Sequence, residues 1–421
     1  MKYMFAWLLA LCLLPGGAVP RAGAQVALPP VGIPDTGRIL PGLPDLAGDT
    51  LGATEDRLRA LRLDRIAALV RRHPDAIERD ARGEPAVRGV LVAIGVDGPM
   101  IARAREKGFG LINRERLDAL GIDIARFRVP DGRSLGRAQR QLAKLLPQAE
   151  VDVDHIYFPS GPGGALPGTM LATTAPGGPA PLGLIDGGVA AHPSVAGRVE
   201  QQGFARGAPA ASEHGTAVAS LLVGAGKVQG AAPGQHLLAA DVYGADPAGG
   251  SASAIARALG WLASRRVAVT TISLVGPDNK LLAAAVSAAQ RRGMLIVAAV
   301  GNDGPAAPPA YPASYRGVFA VTGVDARRRA LPEAGRALDI DFAAPGDAVH
   351  AATGAASSGR LRGTSFAAPL VAGRLALHYP VAAIEAIGPA VAALVMEARD
   401  LGAKGRDKIY GHGLICGDCG R

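Results

Sequence analysis

Beyond residue 181 the chain alternates short apolar runs with longer stretches whose apolar residues recur at helical spacing. Leu182 to Ile185, Leu237 to Val242, Val267 to Leu274, Leu295 to Val300 and Val318 to Val324 are largely apolar, the pattern of strands buried on both faces of a parallel sheet. Gly215 to Val223, Ala252 to Ala263 and Leu281 to Arg292 read as the intervening helices. The alternation predicts an α/β domain over residues 181–421, a parallel sheet flanked by helices with functional groups at the carboxyl ends of its strands. No internal repeat at a fixed period is apparent.

A smaller pattern precedes it. Thr54, followed by Glu55 and Asp56, reads as a helix N-cap; Leu58, Leu61, Ile66 and Leu69 mark one apolar face, and Pro74 ends the helix. Strand (Val87 to Ile94), helix (Pro99 to Lys107), short strand (Phe109 to Ile112), strand (Ile122 to Val129), helix (Leu135 to Leu146) and strand (Val151 to Tyr157) follow. That order suits a small two-layer α+β module over residues 53–158. Residues 25–52 are Pro- and Gly-rich and read as a linker, and residues 159–180, rich in Gly, Pro, Ala and Thr, read as a second, flexible and cleavable one.

At 421 residues, nearly half of them apolar and only 4% aromatic, the chain can bury one large core and a smaller one. The net charge of +9 is scattered arginine without interleaved aromatics, which reads as solvated surface and not as a nucleic-acid-binding face. Residues 1–24 have the form of a signal peptide: Lys2, an apolar run from Met4 to Leu14, and Ala22-Gly23-Ala24 before Gln25. No later run reaches the roughly 20 apolar residues of a membrane span. Cys12 falls within the expected signal, leaving Cys416 and Cys419.

Four polar residues stand at the boundaries of apolar runs. Asp186 closes Leu182 to Ile185 and precedes Gly187-Gly188, where it could orient an imidazole or simply cap a turn. His214 opens an apolar helix, so its ring can point off the helix end; a packing role is the bland alternative. Asn302, after the run ending at Val300, sits in Asn-Asp-Gly, an ordinary turn sequence whose amide could also donate to an oxyanion. Ser365, in Gly363-Thr364-Ser365-Phe366-Ala367-Ala368-Pro369, begins a helix, beside unpaired N–H groups and the positive end of the macrodipole.

In the order Asp186, His214, Asn302, Ser365 these segments resemble the subtilisin-like serine proteases. Ser273-Leu274, Tyr311-Pro312-Ala313-Ser314, Ala344-Pro345-Gly346 and Tyr410-Gly411-His412-Gly413-Leu414 strengthen the resemblance, which runs from about Pro181 to Ile415. It implies a subtilisin-like α/β fold and a secreted serine endopeptidase. Ser365 would be the nucleophile, His214 the base, Asp186 its orienting acid, and Asn302 with the Ser365 N–H the oxyanion donors. Because the base must be neutral and a free histidine titrates near ~6.5, activity should fade in acid.

By the same resemblance Ser273, Leu274, Val275 and Gly276 line the substrate groove, with Ala310 near the floor of the primary pocket. Val275 stands where relatives have glycine, which implies a narrower pocket and a preference for small or medium apolar residues before the cut. Ala217 stands where relatives commonly carry a histidine outside the proton relay. The α+β module looks like the family's propeptide, an intramolecular inhibitor cut off between Phe158 and Pro181; a permanent accessory domain is the alternative. Partners would be protein or peptide substrates, with no nucleic acid, and the chain is expected to act as a monomer.

No catalytic cofactor or metal is implied. Calcium often stabilises relatives, but no dense Asp/Asn loop identifies ligands. Cys416-Gly417-Asp418-Cys419 favours a structural disulfide over a redox pair or a metal site using His412. A non-catalytic binding module on the same scaffold and peptide transfer by the same acyl-enzyme are the competing functions.

Overall fold

A computed structural model describes residues 51–160 and 180–420. The expected signal peptide, residues 25–50 and the stretch 161–179 lie outside them. The N-terminal module opens with α1 (Leu51–Arg72) and continues through β1 (Ile77–Arg79), β2 (Pro85–Ile94), α2 (Gly98–Glu106), β3 (Gly110–Leu117) and β4 (Ile122–Arg128). It ends with α3 (Leu135–Leu145), β5 (Glu150–His155) and the two-residue β6 (Phe158–Pro159). Thr54 is a buried residue inside α1 and not its N-cap. Burial of Leu58, Ile66 and Leu69 sets the helix register, and α1 stops two residues ahead of Pro74, which disfavours the helical conformation before it.

The module's antiparallel sheet runs β1-β2-β4-β3, with β5 also on β2. Successive residues of β2 point to opposite faces. Leu91 and Ala93 pack under α2 and α3, whereas Val92 joins Ile122 and Ile124 in the core of the second domain. Three-residue β1 is too short to show an alternation and was not expected.

The α/β domain contains β7 (Leu182–Asp186), β8 (Val199–Gly203), α4 (Glu213–Val223), β9 (Leu237–Asp241), α5 (Ala252–Ser264), β10 (Val269–Ile272), β11 (Leu274–Val275) and α6 (Lys280–Gln290). β12 (Leu295–Ala299), β13 (Val318–Val324), β14 (Phe342–Pro345), the hairpin β15 (Val349–Ala352) and β16 (Ser358–Leu361), α7 (Thr364–His378) and α8 (Ile387–Glu397) complete it. Seven strands form a parallel sheet in the order β14-β13-β12-β10-β7-β9-β8. Residues of α5 and α6 fill the core on one face, and those of α4 and α7 fill it on the other. Edge strand β8 carries the partly buried Glu200 and Gln201 and the exposed Gln202, and so lacks the apolar run that marks the inner strands. The carboxyl ends of β7, β10 and β12 and the amino ends of α4 and α7 converge at one rim of the sheet.

Two carboxylates of β5 reach across to this domain. Asp152 accepts the Lys280 N–H at the start of α6 (2.8 Å), and Asp154 accepts the N–H (3.0 Å) and hydroxyl (2.8 Å) of Ser253 in the first turn of α5. No described helix is long and apolar enough to cross a membrane.

Candidate active site

Asp186 is the last residue of β7, and its backbone pairs in register with Asp241 at the end of β9. His214 is the second residue of α4, whose N-cap Ser212 accepts the Gly215 N–H. Its Nδ1 lies 2.8 and 2.9 Å from the two Asp186 carboxylate oxygens, with both side chains essentially inaccessible. An Nδ1–H donated to that carboxylate leaves the lone pair of the neutral ring on Nε2. Asp241 was not singled out in the sequence although it closes an apolar run as Asp186 does. It accepts N–H groups from Ala210 (2.7 Å), Tyr243 and Gly244 (2.9 Å each), shaping the turn beside Asp186. Burial pushes the Asp241 carboxyl up, those bonds oppose the shift, and the Asp186 charge adds to it.

Ser365 is the second residue of α7 and fully buried. The Ser273 hydroxyl donates to the Ser365 carbonyl (3.0 Å), and Phe366 packs against the His214 ring with centroids 5.5 Å apart. The Ser365 Oγ and the His214 Nε2 are both buried, and neither makes a hydrogen bond among the described residues. The Asn302 amide orientation is set by its Oδ1, which accepts the Thr364 N–H (3.1 Å), so Nδ2 faces the groove. There it donates to the carbonyl of Ser160. A Cβ at Gly363 (φ 143°) would stand 2.8 Å from Asn302 Nδ2, 3.3 Å from the Ser160 oxygen and 3.6 Å from the Ser365 Oγ. Three polar atoms crowd one point, and only glycine leaves room for them.

Residues 159 and 160, expected to begin a linker, are instead seated in the groove. β6 pairs antiparallel with β11, Pro159 opposite Leu274 and Phe158 opposite Val275, and the Ser160 N–H donates to the Ser273 carbonyl (2.9 Å). On the other side the Tyr157 N–H donates to Gly250 (2.9 Å). Strand pairing overrides a composition that reads as loop, and proline is tolerated in so short an added strand. The Tyr157 ring lies over Gly276, where a Cβ would stand 2.5 Å from it. Its hydroxyl donates to the Pro277 carbonyl (2.6 Å), while the Tyr243 hydroxyl donates to the Tyr157 carbonyl (2.9 Å). Burial raises both phenol pKa values well above the ordinary range, which keeps them protonated donors.

Val275 packs on Gly301, where a Cβ would meet its Cγ1 at 3.1 Å, and both line a cavity of about 310 Å³ with Ala310. Leu274 is fully buried, and Gly276 exchanges backbone hydrogen bonds with Tyr311 (3.0 Å each way). Cys416 and Cys419 form a disulfide remote from this site in sequence. Among the described residues no group of three or more His, Cys, Asp or Glu side chains could hold a metal ion.

The domain has the subtilisin-like fold. It resembles fervidolysin from Fervidobacterium pennivorans, a keratinolytic enzyme related to subtilisin, with a TM-score of 0.63 at 18% identity over 80% of this chain and 61% of that one. That span reaches past the α/β domain into the N-terminal module. The epidermin leader peptide processing serine protease of Staphylococcus aureus matches with a TM-score of 0.55 at 16% identity, over 77% of this chain and 96% of that one. In sequence, subtilisin BL of Lederbergia lenta is 36% identical over 203 residues, 47% of this chain and 74% of that protein. Residues 180–413 match the Subtilase family model, and this chain belongs to that family of serine endopeptidases.

Proposed function

We propose that the chain is an exported serine endopeptidase that cuts itself between Ser160 and Gly161 and is held inactive by its N-terminal module until that module leaves. The observation that carries this reading is the Ser160 carbonyl, held by the Asn302 amide beside the Ser365 hydroxyl at the end of an added strand. Ser365 Oγ attacks the Ser160 carbonyl carbon while His214 Nε2 takes the hydroxyl proton and Asp186 balances the imidazolium. Asn302 Nδ2 and the Ser365 N–H stabilise the oxyanion. The C–N bond to Gly161 breaks as His214 passes its proton to the departing amine. Water, deprotonated by the same histidine, then hydrolyses the acyl ester and leaves a carboxylate on Ser160.

The seated tail is a guide to other substrates. The residue before the cut is small, in keeping with the pocket that Val275 narrows against Gly301. Export is supported by the signal-like residues 1–24 and by relatives such as the minor extracellular protease of Bacillus subtilis, 30% identical over 56% of this chain and 37% of that protein.

N-terminal sequencing of purified wild type and Ser365→Ala, with fluorophosphonate labelling, tests the proposal. We expect a new terminus at Gly161 and a labelled serine in wild type only. An unlabelled wild type, or equal cutting of both proteins, would sink it.

A further inference from the structure

The sheet and tail of the N-terminal module account for a bound, cut strand, but α1 does something neither requires. Its buried residues stand outside the module's own core: Ile66 and Leu69 pack with Ile77 of β1, with Ile156, and with Phe158 of the tail itself. Its outer face touches the α/β domain beside the oxyanion donor. Leu58 occupies the space over Gly304, where a Cβ would stand 2.8 Å from its Cδ1. Arg65 grips both carboxylate oxygens of Asp303 (2.8 and 3.0 Å) and lies over the Phe158 ring, 4.9 Å from its centroid. Arg62 binds Glu84 through both oxygens (2.7 and 2.6 Å) and also reaches Asp303 (3.4 Å). Asp303 is only 17% exposed, so the pairs are sheltered from water.

We propose that α1 is a clasp: a second lock, separate from the β5 contacts, that pins the cut tail in the groove through Arg62 and Arg65 on Asp303. It rests on the reading that Ser160–Gly161 is cut. The tail is held in the groove over only four residues, Tyr157 to Ser160, and α1 adds a contact of a different kind, the Arg65 guanidinium lying over Phe158 while paired with Asp303 of the α/β domain. The clasp therefore sets how long the protease stays latent after the cut. Because its grip is ionic but sheltered, rising salt loosens it only modestly.

The test uses the full chain, left to cut itself, then diluted, with onset of activity followed on a chromogenic peptide. Residues 62 and 65 lie in the module, so Arg62→Gln/Arg65→Gln leaves the sequence of the released protease unchanged. We expect onset about 10- to 100-fold faster, the scale of hydrogen bonds to a charged group, with the modest salt dependence seen in wild type largely lost. Arg65→Lys should be intermediate. Arg114→Gln, on exposed β3 and paired only loosely with Asp123 (3.7 Å), should match wild type. Unchanged onset in the double variant, with mass spectrometry showing the cut complete, overturns the clasp.

If wild type is never cut at Ser160, the self-cleavage reading fails instead. The clasp is then judged in the uncut Ser365→Ala chain by amide hydrogen exchange. Exchange at Ile156 to Ser160 must rise at least about tenfold on adding Arg62→Gln/Arg65→Gln, while β2 and β4 stay protected as proof of folding. Equal exchange in the two chains overturns it.

Discussion

Asn302 does two jobs with one amide, and truncating it removes both. Its Oδ1 holds the Thr364 N–H and its Nδ2 holds the Ser160 carbonyl. Asn302→Ala should lower kcat on a peptide by roughly 100- to 1000-fold with KM little changed, because the donor acts on charge that develops in the transition state. Steady-state kinetics on the released protease would check the split. On the proposed reading Val275 limits the size of the residue before the cut. Val275→Gly should raise kcat/KM for phenylalanine before the cut relative to alanine by about tenfold or more, as the space against Gly301 opens; an unchanged ratio across a peptide series would mean that another side chain limits the pocket. Asp186, His214, Asn302 and Ser365 were legible as candidates because each stands at the edge of an apolar run, a signal carried by its neighbours in sequence. The seat of Ser160 was not legible, since its neighbours are prolines and glycines and its partners, Ser273 and Asn302, are more than a hundred residues away.

At the level of elements, α5 and α6 present their amino ends to the module. Ser251 and Asn279 already cap them, and Asp154 and Asp152 add carboxylates from β5. Asp154→Asn removes charge from a helix start and from a pair with the partly exposed Arg126 (3.3 Å), so docking should weaken by about 1–2 kcal/mol. That is roughly a tenfold faster onset of activity after the cut, measurable in the same dilution assay. The inner strands were readable because burial on both faces makes them wholly apolar, and β8 was not because it lies at the edge. Thr54 reads as the start of α1 because threonine is a capping residue type, but the helix begins at Leu51 and Thr54 is buried within it.

For the whole molecule, acid should loosen the module. Burial raises the Asp80 pKa, but hydrogen bonds from the His155 ring and the Glu84 and Arg82 N–H groups outweigh it and bring it down to about 2. A carboxyl depressed in the folded state contributes stability that is complete above its unfolded value, near ~4, and is lost as pH falls toward the folded one. Thermal unfolding of the Ser365→Ala chain should therefore show a decline between about pH 4 and 2 that Asp80→Asn flattens. His155 lies between Asp80 and Asn279, the cap of α6, so this loss falls where the module meets the protease.

On the proposed self-cleavage, the Ser160 carboxylate left by the cut would stay beside the very atoms that made it. By microscopic reversibility the same site can rejoin it to an amine, and the Gly161 amine is tethered to the same complex at high effective concentration. Hydrolysis in place is then a balance and not a commitment. On that reading the departure of the module would make maturation one-way, and α1, as the proposed brake on that departure, would set the time during which the protein can still undo its own cut.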